Sequence, residues 1–142
     1  MMKFSLIFLL TNHMRTCCNG NNFDNEDEFR DDLSDYLQKH GYETQTEFQV
    51  AASPESGNEY WLVDIMVKKN DNNWVPIELK FSEENKEEVD EDIKKINFCK
   101  NHYRDVNEGY FILLTNVQES KFELYLEDTI SHPYRYMLHK IV

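Results

Sequence analysis

The chain has 142 residues and a mass of 17.1 kDa, which fits one domain large enough to bury a core. Hydrophobic residues make up 40% of it and aromatic residues 13%, so the composition excludes a disordered chain. The 27 acidic and 15 basic residues give a net charge of −12. This charge argues against non-specific binding to a polyanion, because Lys and Arg supply the affinity for phosphates. Chemistry assisted by bound cations is not excluded.

The first ten residues, M-M-K-F-S-L-I-F-L-L, are similar to the start of a signal peptide, with Lys3 before an apolar run. The run is far shorter than the roughly 18–20 residues that span a bilayer, and no small-residue cleavage site follows. We expect no membrane span and a cytoplasmic protein, with secretion as the alternative. Met14 is an alternative start. Residues 1–20 are therefore predicted to be dispensable for the fold, and residues 21–142 to form a single domain.

The cysteines and histidines are not spaced like the ligands of a familiar metal site. Cys17 and Cys18 are adjacent, which suits neither an ordinary disulfide nor tetrahedral zinc, and Cys99 is distant. Reduced thiols in a cytosolic protein are the simplest interpretation. We see no H-x-x-x-H or Cys–His zinc spacing among the five histidines, which are His13, His40, His102, His132 and His139. The sequence thus predicts no zinc site.

The first predicted helix covers about residues 26–40, where apolar side chains recur at helical spacing. Asn25 is its expected N-cap, and Gly41 its expected end. Three strands then follow, separated by polar turns, at residues 42–52, 60–69 and 74–81.

A second helix opens at Ser82, with acidic residues at its start and basic residues near its end, as the helix dipole favours. The apolar run 109–115 predicts a strand that is covered on both faces. Residues 122–126 alternate like a further strand, and the tail after Pro133 is expected to form a short strand or helix. A helical crossover between the third and fourth strands implies that they are parallel and connected with right-handed topology.

Charged residues interrupt two of the apolar strands. Asp64 lies within V-D-I-M-V, and Glu78 and Lys80 lie within P-I-E-L-K-F. Strand alternation places Glu78 and Lys80 on one face and their apolar neighbours on the other. Two carboxylates and an ammonium that meet at a strand edge suit a hard divalent cation and a water that the lysine orients or helps deprotonate. The plain alternative is a surface ion pair on a half-exposed strand.

This motif, in the order helix, three strands, helix, strand, resembles the PD-(D/E)XK nuclease superfamily over about residues 26–126. Asp64 matches the family's aspartate and Glu78-x-Lys80 its (D/E)-x-K, while Val63 stands where a proline is common. The segment G-Y-F-I-L-L-T-N is also similar to the fourth strand of small, uncharacterised members. The resemblance implies an α/β fold with a restriction-endonuclease-like α-β-β-β-α-β core, in which helices flank a central mixed sheet.

The resemblance also implies a function. Asp64 and Glu78, with the backbone carbonyl of Leu79, would hold Mg²⁺ or Mn²⁺, and Lys80 would position or activate the attacking water. The expected activity is endonucleolytic hydrolysis of phosphodiester bonds in DNA, or alternatively RNA, by a homodimer or with a protein partner. The alternative is a catalytically inactive module of the same fold that serves interaction or assembly. The strongly acidic composition favours that alternative.

Four further residues are candidates, two for the same site and two for contacts with nucleic acid. Glu28 matches the extra acid that the family often places on its first helix, although a role in the helix cap is the stronger interpretation. Glu47, on the first strand, could face the same cleft, with a solvated strand position as the alternative. Lys95 and His102 could contact a phosphate from the second helix, but an exposed polar helix face explains them equally well.

Overall fold

The computed structural model describes residues 3–18, 23–81, 86–115 and 135–142. Within these ranges the elements are, in chain order, α1 (Leu6–Cys18), α2 (Glu26–Lys39), β1 (Glu43–Ala51), a 3-10 turn (Pro54–Ser56), β2 (Tyr60–Asn70), β3 (Asn73–Phe81), α3 (Lys86–His102), β4 (Gly109–Thr115) and β5 (Arg135–Ile141). None of the helices described there is long and apolar enough to cross a membrane. The predicted strand at residues 122–126 lies outside the described residues.

The five strands form one mixed sheet in the order β1-β2-β3-β4-β5. Only the β3–β4 pair is parallel among these neighbours, and α3 is the connection between those two strands. The predicted α/β architecture, with a central mixed sheet flanked by helices, is therefore confirmed. The tail after Pro133 contributes β5, which pairs antiparallel with β4 from Gly109↔Ile141 to Thr115↔Arg135.

Helices cover both faces of the sheet. On one face, α1 and α2 share a core with alternate residues of the central strands, such as Ile65, Ile77 and Ile112. On the other face, α3 packs against the residues between them, such as Phe111 and Leu113. All seven residues of β4 are buried, as its unbroken apolar sequence predicts for a strand covered on both sides.

The N-terminus of α2 is capped as predicted. The side chain of Asn25 accepts a hydrogen bond from the backbone N–H of Glu28 at 2.9 Å. The Glu28 carboxylate in turn accepts the backbone N–H of Asp24 at 2.6 Å. Phe29 and Leu33 then face the core with no exposed surface, so the apolar stripe of the helix begins directly after its cap.

The segment before α2 differs from the prediction. Residues 6–18 form α1, and one face of this helix is buried in the main core. The buried residues of that face are Leu6, Leu9, Leu10, Met14, Cys17 and Cys18. These positions recur every three or four residues, which is the spacing of one helix face. The prediction that residues 1–20 are dispensable for the fold therefore does not agree with the packing of residues 6–18. The short apolar run has the composition of a leader peptide, and composition alone does not distinguish a leader peptide from a buried helix.

Residues just before α1 are also held in place. The hydroxyl of Tyr42 donates a hydrogen bond to the carbonyl of Phe4 at 2.8 Å, and the ammonium of Lys3 lies 4.7 Å from the centre of the Tyr42 ring. Gly41, with φ of +91°, makes the turn that brings Tyr42 back towards this segment. The packed domain therefore begins well before residue 21.

Candidate active site

The candidate site lies where β2 and β3 stop pairing through their backbones. Their register pairs run from Asn70↔Asn73 to Ile65↔Ile77. At the next position a carboxylate oxygen of Asp64 accepts the backbone N–H of Leu79 at 2.7 Å. A side chain, rather than a backbone carbonyl, thus satisfies this N–H. The Asp64 carboxylate is held beside β3, next to Glu78.

Glu78 is a buried acid, with only 1% of its surface exposed. Burial is the largest cause that raises the pKa of Glu78 well above its ordinary value, and the adjacent Asp64 carboxylate raises it further by repulsion and by a side-chain hydrogen bond. Lys95 opposes the shift, and Asp92 adds to it. The structure therefore brings the two predicted carboxyl groups together, on the face of the sheet that α3 covers.

Helix α3 adds a carboxylate that the sequence did not single out. Asp92 is only 6% exposed and lies one turn before Lys95 on the same helix face. The Lys95 ammonium lies 3.4 Å from Glu78 Oε1 and 3.6 Å from Asp92 Oδ1. The Lys80 ammonium lies 3.4 Å from Asp92 Oδ2 and 3.7 Å from Glu88 Oε2. Asp92 thus bridges the lysine of the strand motif and the lysine of the helix.

Two buried carboxylate oxygens of this cluster, Glu78 Oε1 and Asp92 Oδ2, have no hydrogen-bond partner among the described residues. An ammonium lies 3.4 Å from each of them, near enough for charge attraction but not aligned as a hydrogen bond. A buried polar atom without a hydrogen bond is costly, so such atoms mark places where a ligand or ion can bind. Glu78 Oε1 and Asp92 Oδ2 therefore mark a place in this carboxylate cluster where a ligand or ion can bind.

The acid that α2 contributes to the site is Glu26, not Glu28. Burial is the largest cause that raises the pKa of Glu26 to about 7; the charges of Asp64 and Asp92 also raise it, while Lys80 and a backbone hydrogen bond from Phe81 lower it. Glu28 instead lies in the helix cap, where it accepts the Asp24 N–H. Both glutamates are in the first turn of α2, and no sequence pattern distinguishes the one that faces the sheet.

Glu47 and His102 lie elsewhere on the surface. The Glu47 carboxylate is 3.0 Å from the guanidinium of Arg30, and its side chain is 59% exposed. The His102 ring stacks on Phe98 with 3.9 Å between ring centres, and it lines a separate groove near the end of α3. The candidate roles of Glu28 and Glu47 at the site do not agree with these positions, because each carboxylate is turned to a different neighbour. The phosphate contact of His102 stays a prediction.

The two lysines of the site carry their charge. Burial lowers the pKa of Lys80, but Asp92, Glu26 and Glu88 outweigh it, so the pKa of Lys80 is raised overall. Burial also lowers the pKa of Lys95, and the carboxylates of Glu78, Asp92 and Asp64 raise it overall. Both side chains are therefore ammonium groups at neutral pH. A lysine in this state can orient a water or a phosphate but cannot accept a proton.

No family model matches the chain, and no curated protein matches it. Among solved structures, a crystal structure of a protein of unknown function, AF1548, is similar with a TM-score of 0.34 and 19% identity. The match covers 56% of this chain and 39% of that one, so the chain spans well under half the length of that protein. A similarity of this size says nothing about the activity of this chain.

Proposed function

We propose that the protein is a metal-dependent endonuclease of the PD-(D/E)XK type, which hydrolyses phosphodiester bonds in DNA or alternatively in RNA. The observation that carries the proposal is the convergence of Asp64 and Glu78 from neighbouring strands, with Asp92 opposite them on α3. The order of elements and the Asp64, Glu78-x-Lys80 motif support the choice of nuclease chemistry, through the resemblance described above.

The donor set fits a hard divalent cation. Asp64, Glu78 and, by resemblance, the backbone carbonyl of Leu79 would hold Mg²⁺ or Mn²⁺, which prefer oxygen ligands. Glu78 Oε1 is buried and has no hydrogen bond from any residue that the structure describes. The raised pKa of Glu78 reports that its negative charge is unfavourable there, first because of burial and then because of the Asp64 carboxylate. A bound cation removes that penalty. When bound, the cation would polarise the scissile phosphate and stabilise the leaving oxygen.

The protein's own residues then have distinct tasks. Lys80, as an ammonium, orients the attacking water and attracts the phosphate, and its raised pKa makes it a poor proton acceptor. Asp92 fixes Lys80 and Lys95 from α3, at 3.4 Å and 3.6 Å. Lys95 is the nearer lysine to Glu78 and balances its charge. Lys95 is thus assigned a supporting role at the carboxylates, where the sequence suggested a contact to a phosphate.

The inactive interaction module remains the second candidate, and a specific observation favours it. Lys80 and Lys95 are both held by carboxylates of the cluster, and the chain carries a net charge of −12. Because both ammonium groups contact carboxylates, the site has little positive charge available to bind a polyanion unless cations bind there first. Measuring cation binding distinguishes the two candidate functions, because only the nuclease needs a divalent cation at Asp64 and Glu78.

The test compares near-isosteric variants of the site with matched variants outside it. Purified protein with Mg²⁺ or Mn²⁺ is incubated with single-stranded, duplex and branched DNA and with RNA, and cation binding is measured separately by calorimetry. We expect Asp64→Asn and Glu78→Gln to lose cation binding and about 100-fold or more of the cleavage rate. Lys80→Ala is expected to lose cleavage but keep the cation.

Glu28→Gln and Glu47→Gln are the matched controls, because both are acids outside the site and should keep wild-type cleavage. Unchanged cleavage in the Asp64 and Glu78 variants would point to a contaminating nuclease and refute the site. A folded wild-type protein that binds no cation and cleaves no substrate would favour the inactive module.

A further inference from the structure

A second group of metal-binding side chains lies between α1 and α2. His13 and Cys17 are one helical turn apart on α1, and Asp32 faces them from α2. One ligand atom from each of the three lies within 4.8 Å of the other two. His13 and Cys17 are buried, and the Asp32 side chain is 40% exposed, so the group opens to solvent at the aspartate. His13 and Cys17 are four residues apart, an H-x-x-x-C spacing that places both side chains on one side of α1.

The imidazole of His13 is already fixed in this position. Its Nε2 lies 2.7 Å from a carboxylate oxygen of Asp32, and its ring stacks on Tyr36 with 4.3 Å between ring centres. The Tyr36 hydroxyl accepts a hydrogen bond from Asn12 at 3.0 Å, which holds the stacking ring. Burial lowers the pKa of His13, and Asp32 only partly opposes this. Burial thus favours the neutral imidazole, which is the form that binds a metal.

We propose that His13, Cys17 and Asp32 form a zinc site. A thiolate, an imidazole and a carboxylate are a mixed donor set that suits zinc, whereas Mg²⁺ and Ca²⁺ prefer oxygen donors alone. Nitrogen and oxygen ligands of tetrahedral zinc lie ~2.0–2.1 Å from the ion, hence roughly 3.3 Å from each other. The pair His13–Asp32 has to open only slightly from its present 2.7 Å. Water would take the fourth position, on the solvent side at Asp32.

Binding is expected to exchange protons for the metal and to join two helices. The Cys17 thiol gives its proton to solvent as the thiolate binds. The proton on His13 Nε2 moves through solvent to Nδ1, which frees Nε2, and two bonds to the ion replace the hydrogen bond between His13 and Asp32. The ion would then connect α1 to α2, which contact each other on the face of the sheet away from α3. Since the site does not exist in the unfolded chain, zinc would stabilise the fold. This inference is independent of any nuclease activity.

The test uses the full chain, stripped of metal with a chelator and kept in excess Mg²⁺ so that oxygen-only sites are occupied. Co²⁺ is titrated as an optical probe and Zn²⁺ by calorimetry. We expect one ion per chain, a thiolate-to-cobalt charge-transfer band and a higher thermal midpoint with zinc. Cys17→Ser is expected to remove the band and weaken zinc binding more than about 100-fold, since loss of a ligand costs more than loss of a residue behind it.

The chain supplies close controls for each ligand. Cys18 is adjacent to Cys17 and equally buried, and Cys99 lies near Glu78. Cys18→Ser and Cys99→Ser should both keep the band and the affinity. Asp32→Asn is expected to weaken zinc binding about tenfold or more, whereas the exposed Asp35→Asn should not.

The proposal is wrong if wild-type protein shows no charge-transfer band, or if Cys18→Ser or Cys99→Ser removes it. In either case His13 and Asp32 form an ordinary hydrogen-bonded pair. If Cys17→Ser fails to fold by circular dichroism, Asp32→Asn decides the question, because its side chain is on the solvent side of the group. Unchanged zinc affinity in that variant would overturn the site.

Discussion

A chain that begins at Asn19 lacks α1 and is expected to lose most of its stability. Four large apolar side chains leave the core with the helix, and each is at most 2% exposed: Leu6, Leu9, Leu10 and Met14. Full burial of one such side chain contributes about 1.5–3 kcal/mol, so the four together contribute roughly 6–12 kcal/mol, as an upper estimate. Domains of this size are typically stable by only about 5–15 kcal/mol. The shortened chain should therefore be largely unfolded.

A point variant tests the same reasoning without deleting residues. Leu10 has no exposed surface, and Leu10→Ala should lower the free energy of unfolding by about 2–5 kcal/mol through lost burial and the cavity left behind. Phe8 is on the same helix but is 52% exposed. Phe8→Ala is the matched control and should change the free energy of unfolding by only about 0.5 kcal/mol.

The assay is urea unfolding of all four proteins, followed by circular dichroism at constant pH and without added metal. The midpoint should fall for Leu10→Ala and stay near wild type for Phe8→Ala, with similar slopes, because the slope reports the surface exposed on unfolding. Two results would refute the reasoning. One is a shortened chain with the wild-type midpoint and a cooperative transition, and the other is equal losses in the Leu10 and Phe8 variants.

Two other predictions concern charge and capping. Burial and Asp64 raise the pKa of Glu78 in the folded state, so the wild type without metal should lose stability as the pH rises above the ordinary glutamate pKa. Glu78→Gln should remove the part of this loss that Glu78 causes, while the raised pKa of Glu26 leaves its own part in both proteins. In pH-dependent unfolding the variant is expected to be more stable than the wild type at pH 8 and equally stable near pH 4. A variant that is the less stable at pH 8 would contradict this. Asn25→Ala should cost about 0.5–2 kcal/mol in urea unfolding, because the N–H at the third position of α2 loses its 2.9 Å acceptor, and an unchanged midpoint would show that the cap contributes nothing.

Local patterns in the sequence were enough to find most elements of the sheet and the face on which its acids lie. The apolar alternation of P-I-E-L-K-F determined that Glu78 and Lys80 would face away from Ile77 and Leu79, which lie in the core under α1 and α2. The unbroken apolar run 109–115 became the fully buried strand β4, and the intervening helix became the connection between parallel strands. These features follow from side-chain periods of two and 3.6 residues, which are visible in any short window.

The partners of the charged groups were decided only by how the helices pack on the sheet. Glu26 and Glu28 occupy the same turn of α2, and only the orientation of that helix turns Glu26 towards Asp64 and leaves Glu28 in the cap. Asp92 is one of many acids near the start of α3, and its place between Lys80 and Lys95 depends on the distance from α3 to β3.

The sequence alone thus determined the type and order of most elements between Glu26 and Thr115, and the strand motif of Asp64, Glu78 and Lys80. Only the tertiary structure decided that α1 belongs to the core and that Asp32 meets His13 and Cys17. Periodicity reports which side of one element is apolar, because it depends on neighbouring residues. Periodicity does not report which helix or strand, distant in sequence, covers the apolar side. That choice depends on how the whole surfaces of the helices and the sheet pack against one another.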